Sequence, residues 1–218
     1  TTAGGDTETV SITITGEDDA ASITGTQTGA VAEDATLQAT GALSVSDVDT
    51  GEASFVAQTG TASTYGSFSI DSSGNWTYDL NNTTAQSLAA GQTVVETFTV
   101  TTAGGDTETV SITITGEDDA ASITGTQAGS VSEDNVLNAT GSLTVVDVDG
   151  GQASFVSQTN TPSPYGSFSI DANGDWSYDL NNTAAQVLAA GETAIETFTV
   201  TTAGGDTETV TITITGEN

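Results

Sequence analysis

The amino-acid sequence predicts an all-β chain of tandem Greek-key β-sandwiches, about seven strands in each, and three observations carry this. The run TTAGGDTETVSITITG opens the chain, returns unchanged at Thr101 and returns again at Thr201 with Thr211 in place of serine, a period of 100 residues. Hydrophobic residues make up 35% of the chain and alternate with polar ones in short runs, the period-two signature of strands with one buried face. Gly, Asp and Asn punctuate those runs at the spacing of a sandwich.

Each copy is long enough to bury its own core, being well above the ~20–50 residues of a solenoid repeat. Residues 1–16 read as the last strand of a preceding repeat, 17–116 and 117–216 as two full repeats, and 217–218 as the start of the next linker. The segment 1–16 has no sixth-strand partner before it, so it is expected to fray or to pair with a neighbouring chain's edge. In the first repeat, strands are expected over 21–26, 37–46, 53–59, 66–71, 75–80, 95–102 and 107–116, and the second repeat follows 100 residues later. Val110, Ile112 and Ile114 face one side of the last strand, while Thr109, Ser111, Thr113 and Thr115 face the other. Phe55, Phe68, Trp76, Tyr78 and Phe98 alternate in step with Ile70, Leu80 and Val100, which assigns them to the core rather than to a sugar-stacking surface. The stretch 81–91 breaks the alternation and predicts one short helical turn closed by Gly91. Residues 103–106 (AGGD) predict the tight hairpin between the last two strands.

The chain carries 30 Asp and Glu against no Lys, Arg or His, a formal net charge of −30. Nucleic acid and anionic membrane surfaces are excluded as partners, because both need cationic side chains. No apolar run approaches the ~20 residues of a membrane helix, and no signal-peptide pattern opens the chain. With no Cys there is no disulfide framework, and with no Lys no Lys–Asn isopeptide bond. An enzyme is not expected: a Ser or Thr hydroxyl has neither a base nor a cationic oxyanion partner here, which leaves only carboxylate pairs.

The acidic residues gather at strand ends. In the first repeat they group as Glu17, Asp18 and Asp19 at the linker, Glu33 and Asp34 after the first expected strand, Asp47 and Asp49 after the second, Asp71 after the fourth and Asp106 in the last hairpin. Their copies are Glu117, Asp118, Asp119, Glu133, Asp134, Asp147, Asp149, Asp171 and Asp206. Sandwich topology puts Asp47, Asp49, Asp71 and Asp106 at the end where the domain begins, near Asp18 and Asp19. It puts Glu33 and Asp34 at the opposite end, facing the linker 117–119 and beyond it Asp147 and Asp149. Carboxylates brought together without Lys or Arg call for a hard cation, and Ca²⁺, which takes 6–8 oxygens in flexible geometry, is the expected one. Zn²⁺ and copper lack His or Cys ligands here, and Mg²⁺ prefers stricter octahedra. The alternative is a solvated acidic surface, which would scatter its charge over strand faces rather than collect it in loops. Two motifs are discounted. The run 104–109 (GGDTET) reads as a hairpin rather than a β-roll nonapeptide, and the loops from Asp71 and Asp171 lack the helices and the twelfth-position Glu of an EF-hand.

The runs Ser130–Asp134, Leu143–Asp149, Tyr165–Leu180, Leu188–Thr193 and Thr211–Asn218 together resemble the VCBS-type and cadherin-like repeats of giant bacterial RTX adhesins. That resemblance implies Ig-like sandwiches repeated many times, exported by type I secretion, retained outside the cell at the bacterial surface in adhesion and biofilm, and stiffened by Ca²⁺ at the domain junctions. It places Glu33, Asp118, Asp119, Asp147 and Asp149 as junction ligands. Such repeats usually follow the linker acids with Ala-Pro, whereas this chain has Asp118-Asp119-Ala120-Ala121, so stiffness would depend more on metal. The function expected is a structural extender, a monomeric rod whose partners are the neighbouring repeats of its own chain. The alternatives are a Ca²⁺-dependent carbohydrate-binding module or a homotypic adhesion module.

Overall fold

The structure is a computed structural model and describes residues 3–217; Thr1, Thr2 and Asn218, parts of the expected preceding strand and following linker, lie outside the described residues. Strands fall at β1 (Ser22–Gly25), β2 (Thr28–Ala32), β3 (Gln38–Ser46), β4 (Gln58–Ala62), β5 (Gly66–Ile70) and β6 (Asn75–Leu80), followed by the one-turn helix α1 (Asn82–Ala85), then β7 (Thr93–Thr101) and β8 (Thr107–Thr115). The second repeat continues with β9 (Ser122–Gly125), β10 (Ala128–Ser132), β11 (Asn138–Val146), β12 (Gln158–Pro162), β13 (Gly166–Ile170), β14 (Asp175–Leu180), α2 (Asn182–Ala185), β15 (Thr193–Thr201) and β16 (Thr207–Thr215). Among the described residues no helix is long and apolar enough to cross a membrane.

Contacts divide the chain into two compact units, and the division does not follow the repeat. One unit gathers the residues up to Gly29 with Gln38–Asp79 and Val95–Ile112; the other gathers Ala30–Leu37, Leu80–Val94 and everything from Thr113 onward. The second unit thus contains the whole second repeat together with the first repeat's loops that carry Glu33 and Asp34.

The second repeat is a two-layer sandwich. One sheet has the order β12-β13-β14-β11-β9 and the other β10-β16-β15. β12, β13 and β14 are antiparallel neighbours and β11 returns beside β14, which is a Greek key. The structure has eight strands per repeat where about seven are expected, because the first expected strand is two. β9 pairs with β11 antiparallel, and β10 then crosses to the other sheet and runs parallel to β16. Gly125 makes the switch at φ 121°, and a Cβ there would collide with the Ser142 carbonyl. The fourth strand also starts later than expected, at Gln158 rather than Ala153. Phe155 donates its N–H to Ala172 O at 3.1 Å and Val156 to Thr201 O at 2.8 Å, so the alternating segment steps between sheets instead of forming a ladder. The helical turn ends at Gln186. Gly191 does not cap it: its N–H reaches Gly216 O at 2.8 Å.

The expected aromatic core is present. Phe168 stacks on Phe198 at 4.6 Å and on Trp176 at 6.0 Å, and Tyr178 tilts against Phe198 at 5.8 Å; such pairs contribute ~0.5–1.5 kcal/mol each beyond burial. Val210, Ile212 and Ile214 of β16 are wholly buried beneath them. Each polar tip has a partner: Trp176 Nε1 donates to Thr126 O, and Tyr178 Oη donates to Glu196 Oε2 at 2.7 Å. In the first unit Phe68 stacks on Phe98 at 4.7 Å, and Trp76 Nε1 donates to Thr26 O at 2.8 Å. Residues 6–16 of that unit form no strand.

Candidate metal centre

The linker after β8 has no secondary structure to absorb its backbone N–H groups, and carboxylates absorb them instead. Glu117 N–H donates to Glu33 Oε1 at 2.6 Å, Asp119 N–H to Asp149 Oδ2 at 3.0 Å, and Ala121 N–H to Asp206 Oδ2 at 2.8 Å. Asp149 N–H in turn donates to Asp147 Oδ1 at 2.9 Å. Glu33 is held where the chain leaves β2, its own N–H bonded to Thr115 O at the end of β8. The loop after β11 presents Asp147 and Asp149, and the hairpin between β15 and β16 presents Asp206. Three segments far apart in sequence therefore meet on one linker.

Each of these carboxylates has a second oxygen, and there the accounting fails. Glu33 Oε2, Asp119 Oδ2, Asp147 Oδ2 and Asp149 Oδ1 are buried without a hydrogen-bond partner, although Glu33 is 0% and Asp149 2% exposed. Glu33, Asp119 and Asp149 each offer an oxygen within 4.8 Å of the others'. Burial, with Asp119, Asp149 and Asp34 nearby, pushes the Glu33 carboxyl above its usual range against the opposing Glu117 N–H bond. Burial and the charges of Asp34, Asp149, Asp147 and Asp118 do the same to Asp119. Buried acceptors this close, in a chain with no cationic side chain, fit a hard cation: oxygens ~2.3–2.6 Å from a Ca²⁺ stand at most about 5 Å apart across it.

The first unit repeats the arrangement around its own linker. Asp19 N–H donates to Asp49 Oδ2 at 2.9 Å, Ala21 N–H to Asp106 Oδ2 at 2.7 Å, and Asp49 N–H to Asp47 Oδ1 at 2.8 Å. Here the clustered oxygens are those of Asp18, Asp49 and Glu52. Glu52 is not among the residues expected from sequence. Burial and then Asp18, Asp49 and Asp47 raise its pKa, and its position just past the Asp-Val-Asp pair was the available signal.

The remaining expected ligands lie elsewhere. Glu17, Glu117 and Asp118 are exposed. Glu133 repeats the Glu33 pattern, accepting from Glu217 N–H at 2.7 Å while its Oε2 is buried and unpartnered. Asp34 is held by amides: Asn82 Nδ2 donates to it at 2.7 Å and Gln86 Nε2 at 3.2 Å, while its own N–H donates to Asn82 Oδ1. Those bonds lower its pKa. Asp134 has the same partners in Asn182 and Gln186. Asp71 closes its own turn by accepting from Ser73 N–H, Asn75 N–H and Asn75 Nδ2, and Asp171 does likewise with Asn173 and Asp175. Both are shifted down, Asp71 first by the Asn75 side chain and Asp171 first by the Asp175 N–H. A further carboxylate that sequence reading passed over, Glu196, is buried yet satisfied by Ser163 Oγ, Tyr178 Oη and Tyr165 N–H at 2.6, 2.7 and 2.9 Å. It marks the contrast, since a buried acid with no ligand role has both oxygens occupied.

Among solved structures, the chain is similar to protocadherin gamma B2 extracellular cadherin domains 1–5, with 14% identity over 93% of this chain and 41% of that one at a TM-score of 0.46. It is likewise similar to the protocadherin gamma B7 EC3–6 cis-dimer structure, with 15% identity over 91% of this chain and 51% of that one at 0.43. The chain spans about half the length or less of these protocadherin structures. No curated protein matches it. The profile of the bacterial cadherin-like domain matches twice in tandem, over residues 18–116 and 118–216, and the chain belongs to that family.

Proposed function

We propose that these repeats are extender modules of a secreted adhesin of the RTX type, retained at the bacterial surface, whose junctions are stiffened by Ca²⁺ so that the array holds a distal binding domain away from the cell. One observation carries the reading: the unpartnered buried oxygens of Glu33, Asp119 and Asp149 come from the end of one repeat, the linker and the start of the next. A divalent cation there would supply the positive charge that the chain lacks, joining the three segments through ligands rather than through packing. The chain's own residues do the positioning. Glu33, Asp149 and Asp206 hold the linker backbone, and Asp147 holds Asp149. Glu33, Asp119, Asp147 and Asp149 would be the ligands, and Asp118, which is exposed, would have to turn inward to join them.

Without a cation, repulsion among these acids opposes a fixed junction and the array bends. Small-angle scattering in millimolar Ca²⁺ and then in EDTA tests this. The maximum dimension is expected to fall on chelation, with the chain monomeric in both buffers. An unchanged dimension refutes the extender reading, and calcium-dependent dimers would favour homotypic adhesion instead.

A further inference from the structure

The acidic loops of the two repeats differ at several positions, among them Thr50/Gly150, Asn75/Asp175 and Glu52/Gln152. The loop past the Asp-Val-Asp pair carries Glu52 in the first repeat and Gln152 in the second. Both side chains are half-buried, and the end of each lies over a hairpin glycine, Gly104 and Gly204, where an added Cβ would meet it. Both also have a buried oxygen without a partner, Glu52 Oε2 and Gln152 Oε1. Glu52 offers an oxygen within 4.8 Å of those of Asp18 and Asp49. Gln152 Oε1 shares the space over Gly204 with Asp147 Oδ2, which lies 3.4 Å from where a Cβ would stand and is itself buried and unpartnered.

The unpartnered oxygens are the informative detail: side-chain oxygens crowded among carboxylate oxygens repel one another unless positive charge lies between them. Asp149 in the same loop is 2% exposed, and its Oδ1 too has no partner. We infer that position 52 and its copy 152 supply a side-chain oxygen ligand to a divalent cation, and that the Glu-to-Gln exchange makes successive cation sites unequal by one charge. This rests on the reading of the acidic clusters as cation sites. Affinity for Ca²⁺ follows ligand charge count, so with other ligands equal the Glu52 site binds tighter and fills at lower calcium.

The test uses the whole chain with Gln152→Glu and Gln152→Ala, read by calorimetric calcium titration and by thermal unfolding in EDTA and in calcium. Gln152→Glu is expected to tighten one class of sites by about tenfold, and Gln152→Ala to weaken it by a similar factor. Gln152→Glu is also expected to lower the melting temperature in EDTA while raising the calcium-induced gain, since the added charge repels only while the site is empty. If the parent chain binds calcium and both variants stay within about twofold of it, the inference is overturned. Equal destabilisation with and without calcium overturns it too, because that is what packing over Gly204 alone would produce. If the parent chain binds no calcium at all, the junction reading itself fails, an outcome distinct from these.

Discussion

Residues 3–27 and 103–127 are identical in sequence, and 3–18 differ in structure from 103–118. In the second copy Val110, Ile112 and Ile114 are wholly buried in β8, between β2 and β7. In the first, Val10, Ile12 and Ile14 are 81%, 82% and 90% exposed and form no strand. The acids follow suit: Glu117 N–H meets Glu33 and Asp119 is half-buried, while Asp19 is exposed. From Asp19 onward the copies converge, because Asp49 and Asp106 hold the first linker as Asp149 and Asp206 hold the second. Alternation in a sequence is thus a capacity for strand formation that neighbouring strands must realise. The junction is the same principle applied to charge, since a linker acid becomes a candidate ligand only where another segment brings acids to it.

That comparison breaks most sharply by truncating the same residue in both contexts. Ile112→Ala should cost about 2–5 kcal/mol in urea unfolding, by transfer and cavity, whereas Ile12→Ala should stay within about 0.5 kcal/mol; similar losses would refute the exposed state of 3–16. Next in size is Glu33→Gln, which keeps an acceptor for Glu117 N–H but removes the charge. It should abolish most of the calcium-dependent rise in melting temperature, up to about 2.7 kcal/mol at a hundredfold excess over the dissociation constant, while leaving the melting temperature in EDTA unchanged or higher. Asn82→Ala, which strips Asp34 of its amide partner, should cost about 1 kcal/mol with and without calcium alike, separating acids held by amides from acids left for a cation.

The smallest effect is one of sign. Glu33, Glu52 and Asp119 have folded-state pKa values raised above the ordinary 4.5, 4.5 and 3.8. Their contribution is therefore full below those values and is lost as pH rises through the folded ones. Asp34, Asp71 and Asp171 are lowered from 3.8, so theirs is present above it and lost as pH falls through the folded values. In EDTA the melting temperature should rise on going from about pH 7 to about pH 5 and fall again below about pH 4. In calcium the first slope should reverse, because protons compete with the cation for the same oxygens.

Much of this was legible in the sequence. The period, the alternating runs and the aromatic core follow from spacing alone, and the gathering of Asp47, Asp49 and Asp106 at the entry linker follows from sandwich topology. What escaped had a local cause. β2 and β10 are short and rich in small residues, with Val31 and Val131 as their only large apolar side chains, so they show no alternation to read. β4 starts later than the alternation implies because Phe55 and Val56 read like a strand while bonding to two different neighbours, Ser72 O and Thr101 O. For Asp34 the partner, Asn82, is a neutral amide 48 residues away whose approach is a matter of tertiary geometry, whereas Asp71 is taken up by Asn75 within its own turn. Glu52 was hidden by its own copy, since Gln152 removes the repeated charge that marks the other acids.

The doubling of duties within a single carboxylate has a kinetic side. Glu33 and Asp149 each commit one oxygen to a linker N–H and leave the other buried and open. Two linker N–H groups are thereby held by side-chain acceptors of the chain itself. Were a cation to bind there as proposed, its loss would free the junction to bend while these hydrogen bonds keep liganding oxygens beside the linker, so that its return would find part of the site in place.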